Sequence, residues 1–321
     1  MTAKKPLAAI VGPTATGKSA IALHVATRLQ AEIISVDSAQ VYRGMDIGTA
    51  KLPPAERVGP GGVPIPHHLI DIVDPDEPFS VADFQKLARE TIASILQRGR
   101  VPLLVGGTGL YYQAVVDPYL FTPMPGDKKI RQYLEEQARS RGNEYLYEEL
   151  KRVDPEAARR IHLHDRRRLV RALEVYIMTG KPISAALEWR RRQETPYRLA
   201  AVALTMPRPQ LYRRIEARVD AMIAQGLVEE VRGLLARYDH RLPALQAVGY
   251  KEIGAYVRGE MELEDAVALL KRNTRRLAKR QLTWFKRDTR LRWWEVEPGR
   301  QEEIAAEIAN YIAGYLDIDV E

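Results

Sequence analysis

A run of eight residues near the start of the chain, Gly12-Pro13-Thr14-Ala15-Thr16-Gly17-Lys18-Ser19, limits the possible folds more than any other stretch. It follows an apolar run, Leu7 to Val11, that reads as a buried strand. It precedes a helical pattern from about Lys18 to Leu29. Strand, G-x-x-x-x-G-K-[ST] and helix, in that order, describe a phosphate-binding loop in its expected setting, and a chance glycine-rich turn would not bring all three. Backbone N–H groups of such a loop point inward at phosphate oxygens, and the helix N-terminus adds partial positive charge. Gly12, Thr14, Ala15, Thr16, Gly17, Lys18 and Ser19 are therefore the expected contacts of a polyphosphate. Lys18 would reach the outer phosphate, and the Ser19 hydroxyl would ligand Mg²⁺. The loop does not say which polyphosphate binds or what becomes of it.

The chain has 321 residues, 45% hydrophobic and 28% charged, an ordinary globular composition with length for about two domains. It has no cysteine, which excludes disulfides and thiolate metal sites and fits a reducing compartment. The N-terminus leads straight into the first strand without the apolar stretch of a signal peptide. The longest uncharged run, Val101 to Val116, is interrupted by three glycines and is too short to span a bilayer. A cytoplasmic protein with no membrane partner is expected.

The net charge of +7 is unevenly placed: Lys271 to Arg292 holds ten Lys or Arg and one acid, Asp288. Arg166-Arg167-Arg168 and Arg190-Arg191-Arg192 are two further clusters. Beside a phosphate loop, such clusters suggest an extended polyanion as a second partner. For any one cluster, a solvated helix face is the alternative.

Taken in order, Glu32 to Asp37 reads as a second strand, followed by Ser38-Ala39-Gln40-Val41-Tyr42-Arg43. Ligands of parallel α/β sheets sit beyond the C-terminal strand ends, so Asp37 is expected to face the phosphate loop. There it could ligand Mg²⁺, accept a proton or cap a turn. A Pro- and Gly-rich loop, Leu52 to Pro66, is a lid or a connection. His67 to Ile72 reads as a short third strand, whose neighbouring histidines point to opposite faces and so would not share a metal. Ser80 to Asp83 is a capping box before an amphipathic helix, Phe84 to Gln97. The strand Val101–Val105 runs into Gly106-Gly107-Thr108-Gly109, where a nucleotide-hydrolysing motor would normally present an acid. Glycines there let another group approach the backbone, and Thr108 offers a hydroxyl.

From about Asp127 the chain turns charged and helix-patterned, with segments 127–140, 143–152, 155–161, 166–178 and 183–192. The expected architecture is thus α/β: a phosphate-loop, kinase-like core with a parallel sheet, formed by 1–126 and 197–321, and an all-helical insertion over 127–196. Arg198 to Leu204 returns as a core strand. Arg214 and Arg218 then lie on one helix face, placed either to clamp phosphates or to form surface ion pairs. A long helix from Leu263 to Phe285 ends in Lys279-Arg280-Gln281-Leu282-Thr283-Trp284-Phe285. Its cations suit a nucleic-acid backbone and its aromatics suit unstacked bases, or else the aromatics are core. Leu291 to Val296 reads as an edge strand, and Gln301 to Leu316 as a final helix.

These motifs together resemble the tRNA dimethylallyltransferase (tRNA isopentenyltransferase) family nearly end to end. The segments 12–19, 37–43, 44–51, 67–71, 106–111, 168–174, 248–252 and 279–285 carry the resemblance. The zinc finger of eukaryotic relatives is absent, as a chain without cysteine requires. The resemblance implies transfer of a dimethylallyl group from dimethylallyl diphosphate to the exocyclic N6 amine of the adenosine 3′ to the anticodon. The tRNAs would be those reading codons that begin with U, and diphosphate would leave.

The resemblance also implies roles. Lys18, the loop amides, Mg²⁺ through Ser19, and Arg218 would stabilise the departing diphosphate. Asp37 would be the base, and it would bind the target adenine together with Thr108. The tRNA anticodon stem-loop would be met by Asp37, Ser38, Ala39, Gln40, Thr108, Arg131, Arg167, Arg168, Arg171, Gly249, Tyr250, Lys251, Lys279, Arg280, Gln281 and Trp284. By the same analogy the protein would be a monomer. Two rival functions share the loop: an ATP-using small-molecule kinase and a non-catalytic, RNA-binding nucleotide switch.

Overall fold

The computed structural model describes residues 4–118, 127–185 and 194–320. It divides into two units, Met1–Val116 with Pro196–Glu321, and Asp117–Thr195. In the first unit, β1 (Lys5–Val11), β2 (Ala31–Ser35), β3 (His67–His68), β4 (Val101–Gly106), β5 (Tyr197–Thr205) and β6 (Arg292–Glu295) form one sheet in the order β3-β2-β4-β1-β5-β6. Every pairing is parallel. All five residues from Leu7 to Val11 are fully buried, as a central strand covered on both faces requires.

The period of two divides that strand between two cores. Ala8 and Ile10 join one cluster with α1 (Lys18–Arg28) and the C-terminal helix Gln301–Leu316. Leu7, Ala9 and Val11 join the other, with α2 (Val81–Gln97), α3 (Gly109–Val116) and Phe285. Ser80 caps α2 through a reciprocal box with Asp83, as its sequence spacing predicts. Because all strands run one way, Val11, Ser35, Gly106 and Thr205 end on the same edge of the sheet.

The third strand is shorter than the His67–Ile72 expected from sequence. Leu69 and Asp71 adopt positive φ of 60° and 56°, which ends extended pairing after His68. The histidines take separate partners, His67 Nδ1 with the Ile65 carbonyl at 2.7 Å and His68 Nε2 with Glu32 at 2.7 Å.

A third apolar cluster lies within the same unit. It is built by the helices Arg208–Ala224, Leu227–Leu235, Tyr250–Val257 and Leu263–Phe285, here α7, α8, α9 and α10. Helix α8 has no counterpart in the expectations above, although Leu227, Val228, Val231 and Leu234 form an ordinary buried stripe.

The second unit contains α4 (Lys128–Val153), α5 (Pro155–Arg160) and α6 (Arg166–Thr179) around its own core of Leu134, Leu146, Leu150, Leu169 and Leu173. Helix α4 is broken at Gly142, whose φ of 84° and ψ of 166° are not helical, so it consists of the two segments read from sequence. The Arg190-Arg191-Arg192 cluster and the rest of its helix beyond residue 185 lie outside the described residues.

Candidate active site

The phosphate loop leaves β1 at Val11. Gly12 has φ 141°, and a Cβ there would lie 2.5 Å from the Leu204 carbonyl oxygen on β5, so only glycine fits. Lys18 Nζ donates to the Pro13 carbonyl at 2.7 Å, and the Thr16 hydroxyl donates to the same oxygen at 2.9 Å. These bonds fold the loop into a closed turn above the first turn of α1.

Helix α7 brings two arginines to this turn. Arg218 Nη1 donates to the Thr14 hydroxyl at 3.4 Å, and an Arg214 nitrogen lies 3.6 Å from where a Cβ on Gly17 would stand. Neither arginine, nor Lys18, makes an ion pair among the described residues. Burial and the nearby Arg218 push the Lys18 ammonium down to about 7, with Asp37 pulling the other way. Arg218 is likewise lowered, by burial and then by Arg214. Crowded, partly desolvated cations of one sign are unfavourable without an anion, so the cluster suits a highly charged anion.

The exposed Ser19 hydroxyl makes no hydrogen bond among the described residues. Such a hydroxyl suits Mg²⁺, which keeps most of its shell as water and phosphate oxygens. No group of three or more His, Cys, Asp or Glu that could cage an ion exists among the described residues.

Asp37 stands two residues beyond β2. Its Oδ1 accepts from the Ala39 N–H at 2.9 Å, and its Oδ2 has no partner among the described residues. It therefore closes a turn and still presents a free carboxylate oxygen. The next N–H, of Ser38, donates to the Thr108 hydroxyl at 3.0 Å, which joins the ends of β2 and β4. Gln40 accepts from the Ser35 hydroxyl at 2.9 Å and donates to the Thr49 carbonyl at 3.2 Å.

The glycines after β4 admit three neighbours. A Cβ on Gly106 would lie 2.5 Å from the Val36 carbonyl oxygen, one on Gly107 2.4 Å from Gln281 Nε2, and one on Gly109 2.2 Å from Trp284 Cδ1. The groups that approach this backbone are thus the Val36 carbonyl, just past β2, and two side chains of α10. Gln281 Nε2 donates to the Gly107 carbonyl at 3.1 Å, and its Oε1 accepts from the Thr14 N–H at 2.8 Å. The Thr14 amide is consequently committed to Gln281, and its hydroxyl is what meets Arg218. Phe285 is fully buried and Trp284 half-buried in the second core cluster, so both contribute to packing.

The other side of α10 is open. Arg272, Arg276, Lys279 and Arg280 along the helix, and Lys286 and Arg287 just past its end, are exposed and form no ion pair among the described residues. Gly249 donates its N–H to Glu252 at 2.8 Å, and Lys251 is exposed. Tyr250, expected to touch RNA, is instead 2% exposed in the third core, because its ring packs against Gly48.

The sequence reading misses Glu230 and Lys51. Glu230 accepts from the N–H groups of Asp46, Ile47 and Gly48, at 3.1, 2.7 and 3.1 Å. Lys51 Nζ, on a nearly buried side chain, donates to the Tyr42 carbonyl and to Asp46 and Asp71. The apolar stripe of α8 was the available signal for Glu230.

In the second unit, Arg131 and Arg171 share the fully buried carboxylate of Glu174, at 3.0 and 2.8 Å. Arg167 and Arg168 are exposed on the first turn of α6, with Arg168 near Asp165 at 3.3 Å.

A family model described as IPP transferase matches residues 40–288, and one described as isopentenyl transferase matches residues 5–58. A tRNA dimethylallyltransferase of Moorella thermoacetica is 77% identical over 321 residues, covering 100% of this chain and 99% of the relative. One of Symbiobacterium thermophilum is 52% identical over 96% of this chain and 95% of the relative. The crystal structure of a tRNA isopentenylpyrophosphate transferase from Bacillus halodurans superposes with a TM-score of 0.72 at 45% identity, covering 98% of this chain and 97% of that one. A eukaryotic dimethylallyltransferase acting on tRNA superposes with a TM-score of 0.82 at 27% identity, covering 99% of this chain and 81% of that one.

Proposed function

The chain belongs to the IPP transferase family, and on that premise we propose the division of labour by which it prenylates tRNA. It is a transferase that moves a dimethylallyl group onto tRNA. The acceptor is the N6 amine of the adenosine 3′ to the anticodon, in tRNAs that read codons beginning with U. The donor is dimethylallyl diphosphate. The observation that carries this reading is the meeting, at one end of the sheet, of an unpaired cation cluster and a half-free carboxylate.

The allylic C1–O bond breaks, the N6–C1 bond forms, and diphosphate leaves with the bonding pair. Much of the barrier is charge separation, because the allylic carbon gains positive character as the diphosphate gains negative charge. Loop amides, Lys18 and Arg218 stabilise the departing oxygens. Ser19 would hold Mg²⁺, which supplies further neutralisation of the diphosphate when bound. The adenine amine is weakly nucleophilic because its lone pair is conjugated with the ring. Asp37 Oδ2 takes its proton as the new bond forms, an assistance typically worth about 10²–10⁴ in rate. Thr108 accepts from the Ser38 N–H and lies 3.3 Å from the Ser38 hydroxyl, and its own hydroxyl proton would turn to a ring nitrogen of the base.

The base reaches this site only if it leaves the anticodon stack, at a cost of a few kcal/mol. The exposed cations of α10 would offset that cost by holding the stem-loop phosphates, as would Arg131, Arg167, Arg168 and Arg171 of the helical insertion. No helix among the described residues is long and apolar enough to cross a membrane. By family resemblance the enzyme works as a cytoplasmic monomer.

The test is incubation with radiolabelled dimethylallyl diphosphate and an unmodified anticodon stem-loop. Label in the RNA at the N6 position is expected. Unlabelled RNA together with ATP-dependent phosphorylation of a small molecule would establish a kinase instead.

A further inference from the structure

Gln281 bridges the phosphate loop and the glycine loop after β4. Its Oε1 accepts from Thr14 N–H at 2.8 Å, and its Nε2 donates to the Gly107 carbonyl at 3.1 Å. The orientation of the amide is fixed by chemistry, because a backbone N–H can only donate and a carbonyl can only accept. Its approach is so close that a Cβ on Gly107 would lie 2.4 Å from Nε2 and would push the amide aside. One turn further along α10, Trp284 fills the space beside Gly109, where a Cβ would lie 2.2 Å from the indole. Two glycines are thus spent on docking one face of α10 into this loop.

Each end of the bridge leads to one half of the proposed reaction. Thr14 belongs to the cradle for the diphosphate, and its hydroxyl meets Arg218. Gly107 is followed by Thr108, which holds the Ser38 N–H beside Asp37. The chain of groups runs from Arg218 through Thr14, Gln281 and Gly107 to Thr108 and Ser38, and ends next to the carboxylate. Adjacent to Gln281 on the same helix, Lys279 and Arg280 face solvent with no ion pair among the described residues.

We propose that Gln281 is a positioning residue that couples the donor and acceptor halves of the site, so that RNA docking on α10 strengthens the grip on diphosphate. The inference rests on the prenyl-transfer reading above. Both ligands act on the same amide: an anion in the cradle sets Thr14, and RNA on α10 sets the helix from which Gln281 projects. A reacting pair must be held within a few tenths of an ångström, and a shared bond is a direct way to register the two halves. By linkage, the coupling is reciprocal.

The experiment measures pyrophosphate affinity with Mg²⁺ by calorimetry, alone and with saturating unmodified anticodon stem-loop. In the wild-type protein the stem-loop is expected to tighten pyrophosphate about five- to tenfold, the range of a modest coupling. In Gln281→Ala that factor falls to near one, while the melting temperature stays within a few degrees. Gly107→Ala, which displaces the amide without deleting it, behaves likewise. An unchanged coupling factor in folded Gln281→Ala, or no coupling in the wild type, overturns the proposal. Should Gln281→Ala not fold, Gln281→Asn, whose amide is one methylene too short, decides by the same criterion. Pyrophosphate that fails to bind the wild-type protein at all would instead overturn the functional reading beneath it.

Discussion

The Tyr250 hydroxyl donates to Glu230 Oε1 at 2.7 Å, and that carboxylate in turn holds three successive backbone N–H groups, those of Asp46, Ile47 and Gly48. The loop so held carries the Thr49 carbonyl that receives Gln40 of the Asp37 segment. Burial and then Glu230 raise the Tyr250 hydroxyl far above the ordinary tyrosine range, so it remains a donor throughout. Glu230→Ala is expected to cost about 2–3 kcal/mol of stability, because it leaves the three amides without their charged acceptor. Tyr250→Phe should cost about 1 kcal/mol. Urea denaturation of both single variants and the double variant checks this. The double variant should lose less than the two singles combined, since they share one bond.

Asp37→Ala should reduce turnover at least about a hundredfold while tRNA affinity stays within a few-fold. Single-turnover prenyl transfer and filter binding separate the two quantities. Near-normal turnover would remove Asp37 as the base.

Burial, and then Arg218, hold the Lys18 ammonium down to about 7 in the ligand-free protein, well below its ordinary 10.5. A bound diphosphate favours the ammonium and raises it again. Binding of a non-hydrolysable allylic diphosphate analogue at pH 8 should therefore take up a proton, and affinity should fall as pH rises through 7 to 9. Calorimetry in two buffers of different ionisation enthalpy reads the uptake, and Lys18→Met should abolish it. The sign for stability is opposite to that of a stabilised lysine. Between about 7 and 10.5 the unfolded chain binds more protons than the folded one, so this residue makes ligand-free stability rise with pH across that window.

Glu174 is a fully buried carboxylate between the half-exposed Arg131 and Arg171. Removing it leaves two arginines that water can still reach, so Glu174→Ala should cost about 1–2 kcal/mol, less than an ion pair buried at both ends. Glu149→Ala, which breaks only a surface pair with Arg152, should stay within about 0.5 kcal/mol. Hydrogen exchange over residues 128–179 compares them within the helical unit.

Lys279→Ala and Arg280→Ala should each weaken stem-loop binding and flatten its salt dependence by a slope of roughly one per lost phosphate contact. A slope unchanged in both would place these side chains away from the RNA.

Local sequence determined those features that depend on a few neighbouring residues. The Gly12–Ser19 cradle, the Ser80–Asp83 cap, the α10 span Leu263–Phe285 and the Gly142 break all follow from spacing and backbone preference within one or two turns. Position along parallel strands likewise put Asp37 and Thr108 at one edge of the sheet. Tertiary structure alone decided which side chains face the cradle and which face the core. Gln281 is separated from Thr14 by 267 positions, and Glu230 from Asp46 by 184, so no local pattern relates them. The same distance in sequence made Tyr250 an inward hydroxyl and filled the glycine loop with an indole from α10. Hydrogen-bond partners are chosen by whatever packing brings within 3 Å, and packing is a property of the whole chain.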